Sequence, residues 1–576
     1  MELTVFAVIA VITLVTVAAF SQKLGIAAPL ILVVVGIVYS FIPGVPPVEI
    51  PPDWILMGVL PPLLYAAAIN VPLMDFRRNL GTIASLSVVL VIVTAIGVGF
   101  LLFALFPELN LAAAIALGAV ISPTDAVAAT SIAKKLGLPA RLITILEGES
   151  LVNDATSLVM LKAAIAASAM TFSDFQLGSA VGMFAYSAVV AVAIGLVVGF
   201  VTVFVRSKLD NPILDTAISF VVPFIAYIPA EEIGASGVLA VVAAGLFAGH
   251  NGARYFGAQE RINERSNWRT VEFLLENGVF LLMGLELKAI LGQVHEFDLG
   301  VDKAVYVGLL VTVLLIVLRF AFIGPLILSL RRRERRLVKT FARFAEGIER
   351  AKELEAENPK LARKRERAEK LYERRSTDLE QLRAEGLGLR GGVVLSWAGM
   401  RGVVTLAAAQ SLPADIPYRP QLILIAFTVS ITTLLVQGGT LPWVIKATGI
   451  RGSDAAVDRR EFATLLDEIS EAGLSVLDNP TVELADGMTV SEDVIERVRR
   501  DTLLRQESAW ERSRAEAAEE VAQMPHMQYR ELRLQVLQAE RAALLDARSR
   551  GTYPSRVLTR AQGMLDIEEA RLDTVV

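Results

Sequence analysis

No cysteine occurs anywhere in the chain. Disulfides, thiolate metal sites and thioether haem attachment are thereby excluded. Histidine is almost as scarce. His250, His295 and His526 are the three, and none falls in the middle of an apolar run, so a histidine proton relay has nothing to run on. A Gly-x-x-x-x-Gly-Lys-Ser/Thr phosphate loop is absent too, so any uphill work would draw on an ion gradient rather than on ATP. No cofactor, no catalytic residue and no nucleic-acid partner is expected. The formal net charge of −5 hides an asymmetry, because most charged residues sit in two blocks, 331–390 and 451–576.

What remains is apolar sequence. Hydrophobic residues make up 54% of the 576 positions and charged residues only 20%, with a mean hydropathy of +0.54. Soluble domains do not have this balance, and repeated long apolar runs predict an all-α polytopic membrane protein. Apolar spans fall at 3–20, 24–42, 53–70, 82–106, 111–133, 143–170, 178–206, 211–229, 235–250, 268–292, 303–330, 390–412 and 420–446, about thirteen helices on a criterion of ~20 residues each. The first run is long and has no basic flank or small-residue cleavage site, so it is expected to be retained as a helix.

The turns carry a charge alternation that tests this count. Starting outside, the odd-numbered turns hold Lys23; Arg77 and Arg78; Lys134, Lys135 and Arg141; Arg206 and Lys208; then Arg254, Arg261, Arg265 and Arg269. The even turns read Pro-Gly-Val-Pro-Pro-Val-Glu, Pro-Glu-Leu-Asn, Thr-Phe-Ser-Asp and Pro-Ala-Glu-Glu, without lysine or arginine. Only Lys303 and Arg419 intrude on the outer side. Basic residues favour the cytoplasmic face, so the N-terminus is expected outside and the C-terminus in the cytoplasm.

Four segments follow: membrane helices one to eleven over 1–330, a charged helical cytoplasmic insert over 331–389, helices twelve and thirteen over 390–446, and a helical cytoplasmic tail over 452–576. The insert begins Arg-Arg-Arg-Glu-Arg-Arg and continues with acidic and basic residues at i,i+4 spacing, as solvated helices do. In the tail, apolar residues recur at helical spacing around Phe462, Leu465, Leu466 and Ile469 and again around Leu532 to Leu537, with a break from Asp478 to Thr489.

Against this apolar background the charged residues at membrane depth stand out. The sixth span opens Ile145-Leu-Glu-Gly-Glu-Ser-Leu-Val-Asn-Asp. A carboxylate there costs ~2.5–3.5 kcal/mol on insertion scales, so it faces protein or water and has a job. On a helix Ser150 and Asp154 share a face, and Glu149 and Asn153 form the neighbouring pair. Together they offer hard oxygen ligands suited to a small monovalent cation. In the fifth span, Ser122-Pro-Thr-Asp places proline in mid-helix, where it removes a hydrogen bond and breaks the helix. Asp125 is expected to offset the positive end of the half-helix so created. In the twelfth span, glycines flank Arg401, which is expected to neutralise the negative end of a second broken helix. Arg319 lies too deep in its span to reach water and needs a carboxylate; Glu149 is the candidate. Glu272 and Glu276 share one face of the tenth span, with Glu286 further along, and are read as structural or vestibule-lining. Lys162 is expected to snorkel to the outer face.

In order and spacing, Ser122-Pro-Thr-Asp-Ala-Val-Ala, Glu147-Gly-Glu-Ser-Leu-Val-Asn-Asp and Gly399-Met-Arg-Gly-Val-Val resemble the bacterial sodium/proton antiporters of the first monovalent cation:proton antiporter branch, which is related to the animal sodium/proton exchangers. The resemblance covers residues 1–446, and the tail looks like a cytoplasmic extension of bacterial members. It implies two crossed, broken helices and inverted repeats. It also implies that Asp154 carries either the cation or the proton, with Ser150 and the backbone around Thr124 completing a monovalent-cation site. Asn153 would stand beside Asp154 in the arrangement associated with electroneutral exchange. Glu149 and Arg319 would form a core ion pair, and Asp125 and Arg401 would balance the broken helices. The implied partners are Na+, Li+ or K+, protons, the lipid bilayer of the bacterial inner membrane and a second copy of the chain in a homodimer. One departure stands out. The third helix reads Pro61-Pro-Leu-Leu-Tyr-Ala-Ala-Ala-Ile-Asn70, with no carboxylate where many relatives have one.

Competition of one proton and one cation for Asp154 would give exchange without ATP. A potassium/proton antiporter is the alternative within the transporter class. Outside it stand an ion channel or sensor with the tail as output, and a membrane-embedded hydrolase, for which Ser150 lacks a nearby histidine.

Overall fold

The computed structural model describes residues 2–43, 45, 47–168, 177–209, 211–295, 300–355, 387–450, 455–478, 490–514, 525–550, 561–565, 567–569 and 572. The chain divides into two compact units, Met1–Gly452 and Ser453–Val576. Among the described residues the regular structure is helical throughout. The middle of the insert, 356–386, the tail break at 479–489 and the Thr-Phe-Ser-Asp turn at 171–174 lie outside the described residues.

Each expected apolar span falls on a helical run of the first unit. These are α1 (Glu2–Leu24), α2 (Ala28–Ser40), α3 (Trp54–Asn70), α4 (Leu73–Leu105), α5 (Leu111–Ile121) with α6 (Ala126–Lys135), α7 (Ala140–Ser168), α8 (Leu177–Arg206), α9 (Pro212–Glu232), α10 (Gly237–Tyr255), α11 (Ala258–Leu285) with α12 (Leu287–His295), α13 (Val301–Glu355), α14 (Leu389–Trp397) with α15 (Val403–Gln410), and α16 (Arg419–Thr448). Seven stretches among the described residues are both long and apolar enough to cross a membrane by themselves. The others are short, broken or carry charge. Such segments are tolerated at membrane depth where protein, not lipid, surrounds them.

Three boundaries differ from the reading of the sequence. α13 does not stop near residue 330 but continues to Glu355 as one helix, because the basic stretch that follows is rich in strong helix formers and has no proline. Arg261, Arg265 and Arg269 are not in a turn. They lie on the first turns of α11, which begins early because Gly257 donates its N–H to Glu260 at 2.8 Å. Likewise Arg77 and Arg78 lie on α4.

Packing sorts the first unit into two apolar cores. One gathers α2, α5, α6, α12, α13, α14, α15, α16, most of α4 and the end of α11; the other gathers α3, α8, α9, α10 and the start of α4 around Trp268 of α11. α7 borders both. Its Ile145, Leu146 and Leu161 belong to the first and its Leu151 and Ala155 to the second. A helix bordering two cores holds its polar residues at the seam between them.

In the second unit, α17 (Ala455–Asp478) packs on α18 (Glu492–Arg514), pinned where Trp510 Nε1 donates to Asp467 at 2.7 Å. α19 (Pro525–Arg550) holds the segment near the C-terminus through Arg533–Glu568 at 2.7 Å and Arg541–Glu569 at 2.8 Å.

Candidate ion site at the helix crossing

Two helices are interrupted and they cross at their interruptions. α5 and α6 contain 11 and 10 residues, α14 and α15 only 9 and 8. None reaches the ~20 residues a span requires; each is half of one. Residues 122–125 and 398–402 between the halves are not helical, and the Asp125 N–H donates to the Met400 carbonyl at 2.7 Å, tying the two unwound stretches together.

Unwinding frees backbone groups, and specific side chains take them up. Ser157 donates to the Ala119 carbonyl at 2.8 Å. Ser122 donates to Val91 at 3.0 Å and hydrogen-bonds the Thr94 hydroxyl. At the positive end of α6, Asp125 accepts from the Val127 N–H at 2.8 Å and Ser150 accepts from the Ala126 N–H at 3.4 Å. Asp125 also lies against Gly402, the residue just before α15; any Cβ there would run into the Asp125 carboxylate. One carboxylate therefore faces the positive ends of both half-helices.

The negative ends receive arginines. Arg401 donates from Nε to the carbonyl of Ile121, the last residue of α5, at 3.2 Å, and also to the Gly399 carbonyl. Its own N–H is taken by Thr433 at 3.1 Å. Arg319 donates to the Leu395 carbonyl near the end of α14 at 3.1 and 3.2 Å. Arg319 also grips Glu149 through two nitrogens, at 2.6 and 2.9 Å, with both side chains buried. Gly399 leaves room for this guanidinium, since a Cβ there would meet Arg319 at 2.6 Å.

The residues picked out from the sequence separate into two sets. Asp154, Ser150, Thr124 and Asp125 line a cavity of about 660 Å³ between α3, the α5–α6 break, α7, α11 and α15. Asn153, Glu149, Arg319 and Arg401 stand behind that wall. Asn153 donates to the Thr124 carbonyl at 3.2 Å and hydroxyl at 3.0 Å, and Thr124 in turn donates to Glu149 at 2.9 Å. Asn153 thus braces the unwound strand, while its Oδ1 is buried without a hydrogen bond.

Asp154 differs from all of these. It is 7% exposed, lines the cavity, and receives no hydrogen bond or ion pair among the described residues. A desolvated carboxylate without a partner is costly to keep as the bare anion. The cavity continues to a pair between exposed Lys134 and half-buried Glu147 at 2.8 Å, and to Arg265, Arg269, Glu272 and Glu276 of α11. Asn70, at the end of α3, also lines it and donates to the Ala66 carbonyl at 2.9 Å.

Two findings depart from the sequence reading or lie outside it. The Lys162 side chain, expected to snorkel, is 60% exposed and pairs with Glu231 in the last turn of α9. A second buried network was missed entirely. Arg206 holds Asp215 at 2.6 and 2.8 Å and Glu264 at 2.6 Å, with its guanidinium 4.1 Å from the centre of the Phe256 ring. The available signal was an aspartate four residues into an apolar run, just after an arginine that ends the preceding one.

Comparison with known proteins places this geometry in context. The family model described as "Sodium/hydrogen exchanger, transmembrane" matches residues 9–447. An uncharacterised Na(+)/H(+) exchanger of Mycobacterium bovis is 28% identical over 99% of this chain and 96% of its own length. A sodium, potassium, lithium and rubidium/H(+) antiporter of Bacillus pumilus is 28% identical over 72% of this chain and 57% of its own. Among solved structures, the sodium proton antiporter MjNhaP1 of Methanocaldococcus jannaschii matches with a TM-score of 0.55 at 16% identity, covering 78% of this chain and all of that one.

Proposed function

The chain belongs to the sodium/hydrogen exchanger family, and from that premise we propose that it exchanges sodium or lithium for protons by competition at Asp154. It is a multi-pass membrane protein of an antiporter family, so cation/proton exchange is its general activity. The finer reading rests on one observation: Asp154 is buried in a cavity beside the helix crossing with no fixed partner.

The chemistry follows from that vacancy of charge. Every other strong charge of the crossing is matched, by Arg319 on Glu149 or by half-helix ends on Asp125 and Arg401. Asp154 is left to be neutralised by a proton or by a monovalent cation, and two positive guests cannot share it. The Ser150 hydroxyl and the oxygens around Thr124 would complete the cation's shell. Occlusion of the site is affordable only when it is neutral, because burying a bare carboxylate costs several kcal/mol. A core that turns over only when loaded exchanges one guest for the other. Because Asn153 beside it is uncharged, the exchange is one cation for one proton, electroneutral.

The chain sits in the plasma membrane of a bacterium with its N-terminus outside, its C-terminus in the cytoplasm, and a second copy as partner in a homodimer. The basic turns support the orientation. Potassium remains a second reading, favoured by the cation range in the name of the Bacillus pumilus relative.

Fluorescence dequenching in everted vesicles, scanning sodium, lithium and potassium across pH, tests this. Asp154→Asn is expected to abolish cation-dependent proton movement while the protein still inserts. Undiminished exchange by that variant would overturn the assignment. Exchange that responds to an imposed membrane potential would overturn its electroneutrality.

A further inference from the structure

Asp154 is not alone in the cavity. Glu276, on α11, lines the same space from a different wall and likewise receives no hydrogen bond or ion pair among the described residues. Its charged neighbours are Asp125, Glu272 and Lys134. Lys134 is already engaged by Glu147 at 2.8 Å, and Asp125 and Glu272 add charge of the same sign. Arg265 and Arg269 of the same helix also line the cavity, but neither forms an ion pair with Glu276 among the described residues, and the five carboxylates of the lining outnumber its three basic side chains. Such a place attracts a small cation and gives it no fixed competitor.

A cluster of carboxylates alone would mean little. Here the cluster opens onto Asp154, which is more than nine-tenths buried, unpartnered and on the same cavity surface. On α3, which forms a further wall, the polar residue of an otherwise apolar lining is the neutral Asn70. The carboxylates of the lining opposite the broken helices are thus supplied by α11, which also carries Arg265 and Arg269 there, and not by α3.

We propose that Glu276 is a second acid of the cation path, which draws a monovalent cation into the cavity and holds it beside Asp125 until Asp154 takes it. This deepens the antiport reading and rests on it. Glu276 sets how much cation is needed to fill the site, whereas Asp154 sets whether exchange occurs at all. Because a point charge and not a particular shape is required, the same work can be done from another wall of the cavity.

The test uses the full chain in everted vesicles, titrated with sodium chloride and with lithium chloride at constant ionic strength. Glu276→Gln is expected to raise the half-saturating cation concentration about tenfold, equivalent to ~1.4 kcal/mol, with the maximal rate within about twofold of the parent. Adding Asn70→Asp to Glu276→Gln is expected to bring the half-saturating concentration back toward the parent value. A merely structural glutamate would instead lower the maximal rate or the amount of protein in the membrane, and Asn70→Asp would rescue neither. Should Glu276→Gln fail to insert, Glu276→Asp carries the test. It keeps the charge but shortens the reach and is expected to shift half-saturation by about threefold. Unchanged half-saturation in the variant tested, or a fall in maximal rate alone, overturns the proposal. Absence of cation-dependent exchange in the parent protein would instead sink the antiport reading, so the two failures are distinguishable.

Discussion

Two buried arginine clusters hold the membrane unit together, and they are built on different plans. Around Arg206 everything is closed. Asp215 takes two of its nitrogens, Glu264 a third, and the Phe256 ring covers the guanidinium face. Around Arg319 and Arg401 the charges are shared with the backbone. Arg319 divides itself between Glu149 and the Leu395 carbonyl, and Arg401 has, among the described residues, only carbonyl oxygens to bind. Half-helix ends carry partial charges of about half a unit each. They can balance a side chain without using up a carboxylate. In the closed cluster both carboxylates are held by the one guanidinium, while the crossing keeps Asp154 free of any arginine. The first plan makes a brace, and the second leaves one buried carboxylate, Asp154, without an ion pair among the described residues.

That contrast can be broken experimentally. The largest effect is expected at Asp154, whose replacement by asparagine removes exchange without unfolding the chain. Next come the arginines. Arg319→Ala strands Glu149, and Arg206→Ala strands Asp215 and Glu264; breaking a buried pair costs ~3–5 kcal/mol. Both variants should lower the melting temperature of purified protein. The difference should appear in transport normalised to folded protein, retained with Arg206→Ala and lost with Arg319→Ala. Equal transport by the two variants would erase the distinction between brace and site. Gly402→Ala comes third. Its Cβ would press into the Asp125 carboxylate, an overpacking cost of about 1–3 kcal/mol, and it should slow exchange more than it lowers stability. An unaltered maximal rate would show that Asp125 has slack. The smallest effect is expected from Lys162→Gln. The lysine side chain is 60% exposed in its pair with Glu231, and such pairs contribute ~0–1 kcal/mol. A larger loss of stability would mean that this pair, too, belongs to the bracing.

Different parts of this molecule were legible in the sequence for different reasons. The helical runs could be read because a segment that must satisfy its own backbone in an apolar setting leaves a long uninterrupted apolar signature. The breaks could be read because Pro123 and the glycines around Arg401 act locally. Arg319 was legible as needing an acid, since a lone guanidinium at that depth is costly wherever it points, and the structure brings it to Glu149. Arg206 was not legible as part of a network. At the end of an apolar run it looks like any basic residue at a membrane surface, and its partner Glu264 is 58 positions away on a helix whose start was misjudged. The partner of Lys162 was not legible for a related reason, because Glu231 lies 69 positions on.

By itself, then, the order of residues determined which segments are helical, where two of them must break, and which carboxylates and guanidiniums are too deep to be left to water. Those are properties of a residue and its near neighbours along the chain, set by backbone hydrogen bonding and the cost of desolvation. Only the tertiary structure decided which charge is matched and which is not. Arg401 reaches the end of a half-helix 280 positions earlier, Asp125 faces the starts of two half-helices at once, and Asn153 turns toward Thr124. Asp154 and Glu276, on different helices, come to share one cavity. Pairing is a matter of distance in space, and over so many intervening residues spacing along the chain fixes none of it.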